Sequence, residues 1–152
     1  IELDVGNVAA AVARGLAVVQ GDAGSDLADY PDAAFDVVIL SNTLQAMAQP
    51  AAVLRQLVRI GRSAIVSFPN FGHWRVRMSL GLGGRMPVTR SLPVSWHETP
   101  NIHFCTIADF RDLAAEMGLV VEQARFFASG RPTGLWPNLF ADTGVFVVRR
   151  SE

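Results

Sequence analysis

Short unbroken apolar runs alternate along this chain with apolar stripes at helical spacing, the pattern required by a sheet covered with helices. Residues 17–20, 35–40, 64–68, 119–127 and 144–149 read as strands. Two of them, Val37-Val38-Ile39-Leu40 and Ala64-Ile65-Val66, are apolar on successive residues, which predicts central strands buried on both faces. Helices fall between the strands by their start and stop signals. Asn7 is placed to cap a first helix that ends at Arg14, ahead of Gly15. Pro50 suits a first helical position, Val53, Leu54, Leu57 and Ile60 form one stripe, and Gly61 supplies a stop. Thr106 with Asp109 forms a capping-box start for a helix carrying Phe110, Leu113 and Met117 before Gly118.

From Pro69 the periodicity weakens into glycine and proline punctuation, with one short helix expected at about 74–80. The result is a single α/β domain, 1–152, interrupted by a loop-rich insertion at about 69–105. Loops of this length in a compact domain serve as lids or docking surfaces. With 152 residues, half of them hydrophobic, the chain has ample material for one core. No apolar run approaches the roughly 18 residues that span a bilayer, so no membrane partner is expected and the location expected is the cytoplasm. The lone Cys105 has no partner for an intrachain disulfide, which fits a reducing compartment.

A net charge of −1 gives no reason to expect nucleic acid, but the charges are segregated. Residues 2–36 hold seven of the 14 carboxylates; residues 37–97 hold none, yet carry Arg55, Arg59, Arg62, Arg75, Arg77, Arg85 and Arg90. All 13 basic residues are arginine, the side chain suited to planar, bidentate pairing with carboxylate or phosphate. Within the insertion these arginines lie among Phe71, Trp74, Trp96 and Phe104, and a second irregular segment carries Trp136. Aromatics beside arginines are the composition of protein interfaces, and packing of the insertion onto the sheet is the competing use of the same residues. Trp74, Arg75, Arg77, Arg85, Arg90 and Trp136 are the candidate partner or substrate surface.

Catalytic chemistry is thin. Ser41 and Asn42 stand at the carboxyl end of a strand, where open α/β sheets bind ligands, but hydroxyls and amides orient a ligand better than they move a proton. His73, His97, His103 and Cys105 match no compact metal-site spacing, so no metal is assigned and a capping histidine and a buried, inert thiol are the plainer expectations.

Specific motifs narrow the reading. They are Ser-Phe-Pro-Asn-Phe-Gly-His-Trp-Arg-Val-Arg from Ser67, Gly-Arg-Met-Pro-Val-Thr from Gly84 and Thr-Pro-Asn-Ile-His-Phe-Cys-Thr from Thr99. Leu-Ser-Asn-Thr-Leu-Gln at 40–45 and Trp-Pro-Asn-Leu-Phe-Ala at 136–141 accompany them. Together they closely resemble the MetW family, methionine-biosynthesis proteins linked to homoserine O-acyltransferases. The resemblance implies a Rossmann-like class I methyltransferase fold, a three-layer sandwich whose last strand returns antiparallel. It also implies that Ile1-Glu2-Leu3-Asp4 is the end of that fold's second strand, so that the first strand, glycine-rich turn and first helix are not among these 152 residues and open sheet edges are expected.

By the same resemblance Glu2 takes the place of the acid that accepts from ribose hydroxyls, and Asp22 that of the carboxylate beside the adenine of S-adenosylmethionine. Read by themselves, Glu2 is a solvated or capping acid and Asp22 a turn aspartate bonding its own backbone. Without the glycine-rich turn little binding of S-adenosylmethionine is expected. Two functions follow: assistance to a homoserine O-acyltransferase as partner or activator, or methyl transfer from S-adenosylmethionine to a small acceptor, which needs orientation more than acid or base. Self-association is a further expectation, from the open edges.

Overall fold

The computed structural model describes residues 1–151. Strands β1 (Phe35–Ser41), β2 (Gly61–Pro69), β3 (Leu119–Ala128), β4 (Arg131–Pro132) and β5 (Thr143–Arg150) form one sheet in the order β1-β2-β5-β3-β4. β1 and β2 run parallel; β5 lies antiparallel to both β2 and β3, the returning last strand that was expected. The helices are α1 (Val5–Ala13), α2 (Pro50–Ile60), α3 (Trp74–Gly83), α4 (Ile107–Glu116) and the single turn α5 (Pro137–Phe140).

Local chemistry accounts for most boundaries. Pro50 opens α2, and Gly61 closes it by passing directly into β2. A Cβ at Gly61 would sit 2.6 Å from Val38 Cγ2, so only glycine lets this helix turn into its strand so close to β1. The capping box of α4 is complete: Asp109 N donates to Thr106 Oγ1 at 3.1 Å, and Thr106 N donates to Asp109 Oδ2 at 3.1 Å. Arg59 fastens α2 to the preceding loop, donating to Leu27 O, Tyr30 O and the Asp32 carboxylate, so one of the seven arginines of the acid-free stretch is structural.

One face of the sheet carries the core. Ala64, Val66 and Phe68 of β2 are in register with Val148, Phe146 and Gly144 of β5, and the large side chains among them are fully buried. Leu54 and Leu57 of α2 and Phe110 of α4 are buried in the same cluster, with the Phe110 ring 5.0 Å from Phe68 and 4.6 Å from Phe146. The other face is open. Val37 is 50% and Ile39 67% exposed, their β2 neighbours Ser63 and Ile65 are half-buried, and α1 buries none of its residues.

Three expectations are corrected here. β1 is an edge strand of the described sheet, and it is not buried on both faces, since α1 buries none of its residues and Val37 and Ile39 stay exposed. The run 17–20 contributes only Gln20, in a parallel bridge to Glu2 outside the sheet, because an extended run forms a strand only where it finds a partner. The cap of α1 is Asp4, whose carboxylate accepts from Asn7 N at 2.8 Å; the two side chains are three residues apart and the carboxylate reaches the free N–H.

Candidate functional site

The two segments that give the chain its character meet at Asn70. This side chain is 1% exposed, and both ends of its amide are used. Nδ2 donates to Ala141 O at 2.7 Å and Asn138 O at 3.2 Å; Oδ1 accepts from Gly72 N at 2.9 Å and Ile107 N at 3.3 Å. Asn138 Oδ1 in turn accepts from Ala108 N at 3.2 Å. The start of the insertion, the amino end of α4 and the Trp-Pro-Asn-Leu-Phe-Ala turn are thereby one hydrogen-bonded junction. Gly72 belongs to it for want of space, since a Cβ there would lie 2.8 Å from Asn138 O. Sequence reasoning quoted Asn70 and Asn138 within motifs without assigning either a role; an asparagine after the last residue of an apolar strand was the available signal.

At the amino end Glu2 bridges to Gln20, two residues before Asp22. Glu2 N donates to Val19 O and Glu2 O accepts from Gly21 N at 3.1 Å. One oxygen of the Glu2 carboxylate accepts from Asp4 N at 2.9 Å, and one of Asp22 accepts from Gly24 N at 2.7 Å, the local turn chemistry expected of each acid. Each keeps a second oxygen that can accept from a hydroxyl or amine, which fits the ribose and adenine groups of S-adenosylmethionine. Along the free edge of β1 runs an apolar groove of about 300 Å³ lined by residues that include Ile1, Leu27, Tyr30, Val37 and Ile39.

Ser41 and Asn42 lie at the carboxyl end of β1, apart from that groove's lining. Ser67 Oγ donates to Ser41 Oγ at 3.2 Å, and Asn42 N donates to Ser67 O at 2.9 Å. Asn42 has φ 52°, a left-handed conformation that asparagine tolerates better than most residues and that turns the chain sharply at the strand end. Its carbonyl accepts from Gln45 Nε2 at 3.0 Å. Gln45 is 3% exposed, its carbonyl receives Ile102 N and His103 N, and its Oε1 has no partner. Asn42 and Gln45 line a cavity of about 380 Å³ with Pro69, Arg90, Leu92, Asn101 and Thr143, roofed by the insertion. Gln45 closes the 40–45 motif, and its burial with an unpartnered Oε1 is what the structure adds.

The six surface residues separate into two groups and a remainder. Trp74, Arg75 and Arg90 line a polar cleft with His73, Ser129 and Asp142; the Arg75 guanidinium lies 5.3 Å from the Trp74 ring centroid, a cation–π contact. Arg77 and Trp136 line a separate depression of about 350 Å³ with Ile107, Arg111 and Asn138. Arg77 also donates to Gly72 O at 2.6 Å, so it supports the Asn70 junction. Arg85 lines neither. Trp136 has φ 39° and is 69% exposed; Trp96 is 72% exposed. Leu82, Val88, Ile102, Phe104 and Leu135 are exposed as well, an apolar population concentrated on the insertion and the 135–140 turn.

Two groups capable of reaction are held quiet. Burial first, and the Asp109 charge second, push the Cys105 thiol up to about 12. The His73 imidazole caps α3, Nδ1 accepting from Arg75 N at 3.3 Å, and partial burial lowers its pKa from the ordinary 6.5, offset by Asp142 and assisted by Arg75. Among the described residues no three His, Cys, Asp or Glu side chains gather as a metal site, and no helix is long and apolar enough to cross a membrane.

Comparison with known proteins agrees with this geometry. Over its whole length the chain is 36% identical to the bifunctional methionine biosynthesis protein MetXA/MetW of Rhodopirellula baltica, of which it spans 25%. Its fold matches an S-adenosylmethionine-dependent methyltransferase of Thermotoga maritima with a TM-score of 0.68 and 16% identity, covering 99% of this chain and 71% of that one. A methyltransferase of Mesorhizobium loti, also dependent on S-adenosylmethionine, matches with a TM-score of 0.65 and 17% identity over 98% of this chain and 78% of its own. The architecture is therefore the class I methyltransferase fold. Residues 1–148 match the model of the methionine biosynthesis protein MetW, and the chain belongs to that family.

Proposed function

We propose that the chain serves methionine biosynthesis by docking on a homoserine O-acyltransferase and supporting its activity, with the insertion and the 135–140 turn as the contact surface. The carrying observation is the relative in which MetXA and MetW are one polypeptide, the MetXA part being read as the acyltransferase. Fusion makes an encounter intramolecular, at effective concentrations that can reach the millimolar range, an arrangement useful only to modules that work together. The surface fits such a use. Exposed Trp96, Trp136 and Leu82 supply anchors to be desolvated, and Arg75, Arg85 and Arg90 enter no carboxylate pair among the described residues.

Co-purification with the acyltransferase, together with its activity assay, tests this reading. Trp96→Ala/Trp136→Ala removes two exposed rings without touching the Asn70 junction and should weaken the complex at least tenfold. Normal binding and normal activation by that variant would reject the docking surface.

A second reading, methyl transfer to a small acceptor, draws on the cavity under the insertion with Asn42, Gln45 and Thr143 in its lining. Glu2 and Asp22 would hold the ribose and adenine of S-adenosylmethionine, which supplies the electrophilic methyl group. Calorimetry on a form that binds S-adenosylmethionine should then show weaker binding for Glu2→Ala, through loss of a charge-assisted hydrogen bond. Unchanged affinity would remove Glu2 from the site.

A further inference from the structure

The cleft of about 190 Å³ beside the amino end of α3 is more polar than the other cavities; it shares Arg75 and Arg90 with the docking surface, but neither reading above gives it a ligand of its own. Its wall carries both signs of charge: Arg75 and Arg90 on the insertion, and Asp142 at the entrance to β5. None of the three is in an ion pair with another side chain among the described residues, although they share one cleft.

Arg75 and Asp142 are nevertheless held at their side chains, and Arg90 at its backbone. Arg75 rests over Trp74, and Arg90 is carried at the tip of a closed turn in which Thr89 N donates to Leu92 O at 2.9 Å, Leu92 N returns to Thr89 O at 3.2 Å, and Leu92 is buried. One Asp142 oxygen accepts from Ser129 N at 2.6 Å and the other from Thr143 Oγ1 at 3.1 Å, which fixes the carboxylate while leaving further acceptor capacity on both oxygens. Ser129 itself adopts φ 51° to make that bond. Positioned, unpaired charges lose little entropy on capturing a ligand.

We propose that this cleft is a binding site for a free α-amino acid, with Arg90 and Arg75 receiving the carboxylate and Asp142 the ammonium group. A ligand with only negative charge meets Asp142, and one with only positive charge meets two guanidinium groups; a small zwitterion satisfies both sets. The volume points the same way, being below the roughly 300–1,000 Å³ of pockets for drug-sized molecules. His73, Thr89 and Ser91 complete a lining of short polar groups suited to a compact ligand.

Calorimetry on the purified chain tests the site with L-methionine, L-homoserine and L-leucine as probes, beside L-methioninamide, which lacks the carboxylate, and 4-(methylthio)butanoic acid, which lacks the ammonium group. At least one amino acid should bind saturably, and loss of either charged group should weaken L-methionine-type binding tenfold or more. Arg90→Gln and Asp142→Asn should each do the same, with thermal melting used to confirm that both variants are folded. Arg90→Gln alters an exposed side chain for which no hydrogen bond is recorded, so its result stands even if Asp142→Asn disturbs the turn. No binding by any of the three amino acids, equal binding of the des-amino acid, or normal binding by Arg90→Gln would each overturn the proposal. Because the chain is tested alone, the outcome is independent of whether an acyltransferase docks.

Discussion

The two faces of the sheet are built from similar residues and meet different fates. On one, Ala64, Val66, Phe68, Phe146 and Val148 vanish beneath α2 and α4; on the other, Val37 and Ile39 lie open and Ile65, Val145 and Val147 are half-buried. Apolarity on successive residues of a strand states that both faces are to be covered, and the described residues cover one. The uncovered face adjoins the free edge of β1 and its apolar groove, so the unmet demand for burial is concentrated at one flank.

The sharpest way to break that comparison is to empty both faces in turn. Phe146→Ala removes a ring that stacks at 5.8 Å on Phe68 and touches Phe110, and should cost about 3–5 kcal/mol in urea unfolding. Ile39→Ala should cost less than about 1 kcal/mol, because a side chain already in water has little transfer free energy to lose. Similar losses at the two sites would mean that the open face is covered in solution.

Next in size is the junction that organises the functional side. Asn70→Ala leaves Gly72 N, Ile107 N and Ala141 O without their partner in a buried position, and orphaned buried groups cost about 1–3 kcal/mol each. Relaxation and water will recover part of that, so a loss of about 2–4 kcal/mol is expected by urea titration. A loss below about 1 kcal/mol would show that the junction is not a unit.

Association gives a smaller, concentration-dependent contrast. An open strand edge beside an apolar face is a template for pairing with another chain. Sedimentation at tens of micromolar should show oligomers of the unaltered chain that Val37→Lys/Ile39→Glu disperses, whereas changes at exposed Glu116 on α4 should leave them unaltered. A monomer at every concentration would remove self-association from the account.

Much of this was legible in the sequence, and what was missed has a common physical origin. The α4 cap, the proline start of α2 and the cysteine's inertness depend on neighbours within a few residues, and each was read correctly. Asn70 bonds to groups 37 and 71 residues away, and Asp142 bonds to Ser129 across a strand turn, so the place of Asn70 at a strand end hints at a role but no local pattern names the partners of either. Val18 and Val19 look like strand residues and fail to extend one because a strand exists only with a partner, here a single bridge at Gln20. Gln45 belongs to the 40–45 motif, but a buried glutamine is uncommon, so its burial is not signalled by the residue itself.

The smallest effect tests how the cleft treats charge on the open side of the molecule. His73 is partly buried, and its pKa lies below the ordinary 6.5 chiefly because desolvation disfavours the imidazolium, with Asp142 opposing and Arg75 reinforcing. A lowered folded pKa means that the unfolded chain binds the proton more readily as pH falls through 6.5, so the folded state loses stability over the window just below that value and regains it above. The side chain retains considerable solvent contact, which screens the effect and keeps it a modest one. His73→Asn keeps an acceptor for Arg75 N, since asparagine is a good helix cap, and removes the titration. Melting temperatures of the two proteins should agree at pH 8, and the difference should shift in favour of the variant between pH 6.5 and 5. Parallel curves throughout would show that His73 is solvated like a surface histidine, and that the cleft does not desolvate the groups lining it.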